Sequence, residues 1–367
     1  MDDISLTTEY CRYCLMCRHV CPVTRVTANE ATSPHGWALL VASVRRGLVT
    51  WDDDTVDRLY QCADCGLCRV HCVTDQPLPD ALIAVRATLA ANGQVPASVA
   101  VLDERLRHWG NVYTKEGDIA PIRRAPAALL VGSDAWHRTP EEVQAAQRLL
   151  NTAGLEYVLA AAGRDDGYLA WTLGLHDTAR ALAQTTREEL TAIGAQRVIV
   201  LSPQQFHTLV YVYPQLGIPL PEDLEIVELT ALLIRLVNTG RLAFRALTLE
   251  AVYHDPAQAP RLDGRGDAPR QLLRSIGVTL REMLWRDRRS MNAGVSGGLP
   301  WTQPALAMKM ARKVLDDAIR TGATTLITDA PETLAHLQAA ADGIAVRGLY
   351  GLLAEQLRDS QVETRSS

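Results

Sequence analysis

The chain has 367 residues, more than one hydrophobic core ordinarily holds, so two or three domains are expected. Apolar residues make up 47% of it and charged residues 22%, which excludes a disordered or collagen-like chain. The net charge of -5 comes with scattered basic residues, which excludes a nucleic-acid footprint.

Residues 1–9 are acidic and polar, unlike the basic and then apolar start of a secretion signal. The longest apolar runs, among them 38–44 and 127–132, fall short of the ~20 residues that cross a bilayer. The expected location is the cytoplasm, with contact to the inner face of a membrane only through partners.

Residues 1–95 form the first predicted unit, α-helical, and contain all eight cysteines. Cys11, Cys14, Cys17 and Cys21 follow the spacing C-x2-C-x2-C-x3-C, and Cys62, Cys65, Cys68 and Cys72 repeat it. Two-residue spacers let one tight loop deliver three thiolates to three corners of an iron-sulfur cube, and the fourth comes from elsewhere. In two-cluster ferredoxins with this spacing, the fourth cysteine of each run serves the other cluster. The expected ligand sets are therefore Cys11, Cys14, Cys17 and Cys72 for one [4Fe-4S] cluster, and Cys62, Cys65, Cys68 and Cys21 for a second. Such crossing brings the two clusters close enough to exchange single electrons.

Pro22 follows Cys21 and is expected to end the local helix, because proline has no amide hydrogen. Val73 follows Cys72, with prolines only at Pro77 and Pro79, so the second run should leave its cluster along a different path. Between the runs Trp37, Leu39, Leu40, Val44 and Leu48 recur at three- and four-residue steps, which predicts an amphipathic helix over 34–48, loosened at Gly47.

Two structural zinc ions are an alternative use of eight thiols, but zinc sites usually pair two C-x2-C knuckles. Disulfides are disfavoured in a reducing cytoplasm. Arg18 and Arg69 each follow the third cysteine of a run, where a positive charge would favour a reduced cluster; the alternative is a solvated surface arginine. His19 and His71 are not needed as ligands and are read as packing residues.

Residues 96–124 are read as a connecting segment, with a short helix over 97–109 and turns at Gly110, Gly117 and Pro121. From about residue 125, short apolar runs such as 128–131 and 198–201 alternate with helical patterns, which predicts α/β units with mainly parallel sheets. An internal repeat runs through this part. Gly194-Ala195-Gln196-Arg197-Val198-Ile199 answers to Gly322-Ala323-Thr324-Thr325-Leu326-Ile327, and Pro203, Phe206 and Leu209 answer without a gap to Pro331, Leu334 and Leu337. Leu149 and Leu150 likewise match Leu272 and Leu273, while Leu229, Leu232 and Leu233 match Leu349, Leu352 and Leu353. Two pseudo-symmetric α/β repeats, 125–246 and 247–357, are expected to bury a shared core. The first should close on a helix over 231–247 carrying Arg235, Arg241 and Arg245, for which burial is favoured over a membrane surface. The polar tail, 358–367, should fray.

This order of parts resembles the iron-sulfur subunits of the glycolate oxidase, lactate-utilisation, anaerobic glycerol-3-phosphate dehydrogenase and heterodisulfide reductase group, over nearly the whole chain. Besides the cysteine runs, Ser33-Pro34-His35-Gly36 is similar to that family's S-P-R-G segment. His254-Asp255-Pro256, Arg261 and Gly294-Val295-Ser296-Gly297-Gly298 are similar to weaker motifs of its repeats. The resemblance implies a dicluster ferredoxin domain ahead of two repeats, each with a paired-cysteine-glycine motif and further cysteines that bind special clusters in disulfide reductases. Those cysteines are lost here. The first repeat has Ser133, Asp165-Asp166 before Gly167, and Ser202-Pro203-Gln204-Gln205; the second has Ala257, Asn292-Ala293 before Gly294, and Ala330-Pro331-Glu332-Thr333. Serine, alanine and glutamine do not replace thiolates on iron, so the repeats are expected to act as a docking platform. A harder metal held by Asp165, Asp166 and His254 is the alternative to ordinary solvated acids.

The function implied by the resemblance is a non-catalytic electron-transfer subunit, relaying single electrons between a flavin-containing dehydrogenase partner and a quinone or another carrier. One competing reading is a heterodisulfide-reductase-like subunit in thiol/disulfide or sulfur redox metabolism, which the missing cysteines oppose. Another is a redox sensor, which no DNA-binding motif accompanies. No Ser-His-Asp, Gly-rich phosphate or H-E-x-x-H constellation points to catalysis on this chain.

Overall fold

The computed structural model describes residues 4–117, 121–256, 258 and 267–358; Ala257, Arg261 and the predicted tail beyond Arg358 lie outside the described residues. A helical unit comes first. The 3-10 helix Ile4–Tyr10 precedes the first cysteine run, and the helices Pro22–Thr27, Pro34–Arg45, Asp53–Leu59, Leu67–Val70, Leu78–Ala91 and Ala97–Trp109 follow. Helix Pro34–Arg45 starts where Ser33 Oγ accepts the Gly36 amide and Pro34 fills a first turn that needs no amide. It stops at Arg45 rather than running to 48, since Gly47 takes the left-handed conformation that ends helices. Helix Ala97–Trp109 covers its predicted span and closes on left-handed Gly110.

Two four-stranded parallel sheets follow. Strands β1 (Ala127–Val131), β2 (Val158–Ala162), β3 (Arg197–Val200) and β4 (Glu225–Glu228) lie in the order β2-β1-β3-β4. Strands β5 (Leu249–Tyr253), β6 (Val278–Leu280), β7 (Thr325–Thr328) and β8 (Ala345–Gly348) lie in the matching order β6-β5-β7-β8. Leu129, Val131 and Ile199 enter a core that also holds Tyr253 and Ile327 of the second sheet. Their neighbours Ala128, Leu130, Val198 and Val200 point the other way, into a core with Trp37, Tyr60 and Leu82 of the helical unit. Burial on both faces explains why these strands read as continuous apolar runs.

The core between the sheets is closed by exchanged helices. Leu349–Glu355, ending the second unit, packs on Pro140–Thr152 of the first, while Leu229–Asn238, ending the first, packs on Ala268–Ser275 of the second. Buried Glu142 seals the former pair, its carboxylate accepting the amides of Tyr350 and Gly351 at 3.1 Å. A Cβ at Gly348 would stand 2.1 Å from the Glu142 carboxyl, so a side chain there would displace that carboxylate.

The first closing helix ends at Asn238, not at 247. Gly240 turns left-handed (φ 71°) and Phe244 bridges to Leu357. Its arginines hold structure: Arg235 pairs with Glu225, and Arg241 and Arg245 donate to the carbonyls of Ala153 and Glu355. The two units differ at one corresponding place, where Pro203–His207 gives way to a π turn, Thr208–Val212, while Pro331–Ala340 is uninterrupted.

The helical unit sits against both sheets. Val20 and Leu67 join the core around Val252, Met291 and Leu326, and Gly174 (φ 80°) lets the first α/β unit approach so closely that a Cβ would stand 2.5 Å from the Ala87 nitrogen.

Candidate metal centre

The two cysteine runs fold alike. In each, the second cysteine is flanked by left-handed residues: Tyr13 (φ 49°) and Leu15 (φ 64°) around Cys14, and Asp64 (φ 48°) and Gly66 (φ 69°) around Cys65. A non-glycine residue there costs about 1–2 kcal/mol, a strain kept where the chain must wrap around something. The double bend turns the first three thiols of each run into one cavity.

Cys11, Cys14, Cys17 and Cys72, together with Cys68, line a cavity with an open volume of about 570 Å³. Cys21, Cys62, Cys65 and Cys68 line another of about 300 Å³. Each cavity thus contains the first three thiols of one run and the fourth of the other. Cys68 borders both, and its thiol is pushed well up by burial and then by Cys65, Cys62, Cys21 and Cys17. Burial pushes Cys17 up to about 11 and Cys21 up to about 12, and it raises Cys62 as well. At Cys72 burial is outweighed by hydrogen bonds from Thr74 Oγ1 and the Gln76 amide, which lower its thiol. Thiols held this reluctant become thiolates when a metal supplies positive charge, and soft donors in fours suit iron-sulfur cubes. Among the described residues no three ligating side chains converge on a point for a single metal ion.

Pro22 starts a helix instead of ending one: Cys21 is the N-cap of Pro22–Thr27, and proline fits the first position because that amide has no intrahelical partner. Cys72 leaves through a turn ahead of helix Leu78–Ala91, a different exit from that of the first run. The Ser33-Pro34-His35-Gly36 segment reaches the metal centre, with Pro34 and His35 lining the first thiol cavity and His35 Nδ1 2.8 Å from Ser33 Oγ.

The expected tuning charges are spoken for. Arg18 lies 2.6 Å from Glu30, and Arg69 is held by Asp75 at 2.9 Å and Asp80 at 3.6 Å. His19 is exposed rather than packed, and His71 Nδ1 meets the Leu67 carbonyl at 3.2 Å. The charge that sequence reading passes over is Arg86. It is fully buried, with Nη2 donating to the carbonyls of Leu59 (2.6 Å) and Cys62 (3.0 Å), Nη1 donating to Thr172 (2.7 Å), and the guanidinium over the Tyr60 ring. No carboxylate among the described residues pairs with it, and its charge favours the Cys62 thiolate against burial. The available signal was its phase, in step with Leu82 and Leu89 on the buried stripe of its helix.

The surroundings of the two runs differ. Cys14 is exposed, among exposed Tyr10, Tyr13, Leu15, Met16 and Val73. The second run is clasped by both α/β units: Ser296 Oγ donates to the Ala63 carbonyl (2.6 Å), Gly297 lies so near that a Cβ would stand 2.4 Å from the Cys62 oxygen, and Tyr168 and Thr172 donate to Asp64. The Gly294–Gly298 motif is therefore a clamp on the second cysteine loop.

Ser133, Asp165, Asp166, Ser202 and Gln205 gather with Glu332 around one polar cavity without thiols. Gln205 ties it together, its Oε1 accepting the amides of Leu201 and Ser202 while Nε2 donates to the Val131 carbonyl. Burial raises Asp165 well above the usual range, Asp166 to about 6 and Glu332 to about 8. His254 does not join them. It is buried in the second unit with Nε2 3.0 Å from the Met291 carbonyl, so the trio Asp165, Asp166 and His254 is not assembled. In the second unit Asn292 Oδ1 accepts the amides of Gly294 and Val295, so hydrogen bonds hold this turn.

Residues 7–78 match the family model of a 4Fe-4S dicluster domain. A protein named "Probable membrane-anchored ferredoxin" from Chromohalobacter salexigens is 26% identical over 92% of this chain and 53% of its own length. One subunit of the dihydromethanophenazine:CoB–CoM heterodisulfide reductase of Methanosarcina barkeri is 25% identical over 82% of this chain and 78% of its own. EtfAB:quinone oxidoreductase of Syntrophomonas wolfei is 24% identical over 69% and 38%. The chain thus spans about half the length of the first relative and less of the last. The crystal structure of a hypothetical protein from Helicobacter pylori superposes with a TM-score of 0.60 over 90% of this chain and 69% of its own, at 13% identity, a likeness of fold alone.

Proposed function

We propose that this chain, which is similar to iron-sulfur subunits of oxidoreductases, relays single electrons through two [4Fe-4S] clusters, between a flavin-containing dehydrogenase partner and a quinone or another carrier. Cys11, Cys14, Cys17 and Cys72 hold one cluster, and Cys62, Cys65, Cys68 and Cys21 hold the other. The observation that carries this reading is the crossed lining of two cavities that share Cys68. The clusters supply the one-electron chemistry; the protein orients eight thiols, places Arg86 beside the second set and shields it with the α/β units.

The division into a dicluster domain (1–95), a connecting segment (96–124) and two pseudo-symmetric repeats (125–246 and 247–357) is part of the same reading, supported by the matching strand orders. Among the described residues no helix is long and apolar enough to cross a membrane, and contact with one is assigned to partners. The thiol/disulfide alternative is opposed by the cavity at Ser133, Asp165, Asp166, Ser202 and Gln205, which offers no thiol.

The test is pairing by substitution. In protein prepared without oxygen, Cys72→Ser should remove the same paramagnetic signal as Cys14→Ser, and Cys21→Ser the same signal as Cys65→Ser. Loss of a common signal in Cys72→Ser and Cys65→Ser would refute the crossed ligand sets, and colourless protein free of iron and acid-labile sulfide would refute the relay. The isolated chain should accept electrons from dithionite and oxidise no hydroxy acid unaided.

A further inference from the structure

Beside the second thiol cavity lies a wider cleft, of about 1270 Å³, between the helical unit and the α/β units; Cys65 lines both. Tyr168, Trp171 and His207 of the first α/β unit and Gln258 and Arg288 of the second line it as well. His207 ends helix Pro203–His207, immediately before the π turn that the second unit lacks; the corresponding residue there is Ala335. Such turns are frequent at functional sites. The His207 ring stacks on Tyr211 with centroids 5.3 Å apart and meets Tyr168 edge-on at 6.2 Å. Among the described residues neither of its nitrogens has a hydrogen-bond partner. Burial lowers its pKa to about 4, so the ring is neutral and offers one N–H donor and one acceptor. Gln258 gives one amide hydrogen to the Tyr168 hydroxyl (2.7 Å) and retains a second.

The charges select the occupant. Asp64, Asp75 and Asp80 outnumber Arg69 and Arg288 in the lining, and Arg69 is engaged by two of them, which disfavours a phosphate-bearing cofactor. Cys65 is the thiol of the lining and is committed to a cluster in the relay reading, which leaves none for a disulfide substrate. An uncharged aromatic ring with carbonyl acceptors fits what remains.

We infer that this cleft binds the ring of a quinone beside Cys65, with His207 and Gln258 donating to its carbonyl oxygens and Tyr168 and Trp171 flanking it. The inference rests on the relay reading, which makes Cys65 a cluster ligand, and adds the place where a small carrier meets the second cluster.

The test uses the full chain, prepared without oxygen and with its iron and sulfide counted, titrated by equilibrium dialysis with menadione, a naphthoquinone lacking a lipid tail, and separately with FMN. One menadione per chain is expected, bound about tenfold more weakly by His207→Ala, as for the loss of one hydrogen bond. Affinity should return largely in His207→Gln, which keeps a donor. Gln258→Leu, on a separate segment, should weaken binding to a similar extent if His207→Ala does not fold. No menadione binding, binding indifferent to the variants that fold, or FMN bound in its place overturns the inference. Absent iron would overturn the relay reading itself, whereas intact clusters without menadione binding leave the relay standing and remove only the quinone site.

Discussion

The two cysteine runs share a spacing and a backbone path, yet one faces outward and the other inward. Around the first, Cys14 and a collar of Tyr10, Tyr13, Leu15, Met16 and Val73 are exposed. Around the second, Cys62 is buried, Arg86 supplies an enclosed positive charge, and the Gly294–Gly298 loop closes over Cys62 and Ala63. Identical ligand motifs therefore acquire different roles from what packs on them: the first is accessible to a protein surface, and the second communicates with a polar cleft.

The strongest way to break this contrast is Gly297→Val. At φ 69° and with a Cβ 2.4 Å from the Cys62 oxygen, the change should cost about 3 kcal/mol or more, and iron analysis should show loss of the second cluster with the first retained. Loss of both clusters, or of neither, would mean that the clamp is not specific to the second run.

Arg86→Met comes next. It removes a buried donor from three carbonyls, of which only that of Leu59 keeps another, the Cys62 amide, at a cost of about 2–3 kcal/mol, and removes the positive charge nearest Cys62. In a potentiometric titration followed by paramagnetic resonance, the second cluster should shift to lower potential while the first stays in place. Arg18→Met and Arg69→Met, at exposed and paired positions, should shift neither by a comparable amount.

Glu332→Gln probes the emptied site. Its folded-state pKa is raised to about 8 from an ordinary 4.5, so the folded protein binds the proton more tightly. This contribution to stability is full below pH 4.5 and is lost as pH rises towards 8. Denaturation midpoints of the wild-type chain should fall across that window, and Glu332→Gln should flatten the fall; an unchanged slope would mean that the carboxyl is not protonated when folded.

The smallest effect on stability belongs to the collar. Met16→Glu and Val73→Glu should change stability by less than about 0.5 kcal/mol, yet slow electron exchange with a protein partner and leave reduction by dithionite unchanged.

The grouping of the thiols was legible because each C-x2-C-x2-C-x3-C run is a local pattern; helix Ala97–Trp109 was legible because burial of one face imposes a period, and strands β1 and β3 because burial of both faces leaves an unbroken apolar run. What could not be read depended on chain-distant neighbours. Arg86 looks like any helical arginine until three carbonyls from Leu59, Cys62 and Thr172 surround it. The overlong helix over 231–247 came from apolar residues that continue past Gly240, where the backbone turns although the hydrophobic pattern does not. Pro22 was placed in a helix but at the wrong end, because a missing amide is equally compatible with starting and with stopping. Gathering Ser133, Asp165, Asp166, Ser202 and Gln205 at one cavity required the ends of β1, β2 and β3 to lie side by side, as their parallel register ensures.

The carboxylate of Glu142 caps a helix begun more than two hundred residues later, and so ties the packing of the first α/β unit to synthesis of the last helix of the second. Until Tyr350 and Gly351 have left the ribosome, the apolar face of helix Pro140–Thr152 lacks the part of its cover that helix Leu349–Glu355 supplies. A cut between the two α/β units would part helix Pro140–Thr152 from Leu349–Glu355 and helix Leu229–Asn238 from Ala268–Ser275, leaving each unit short of one covering helix.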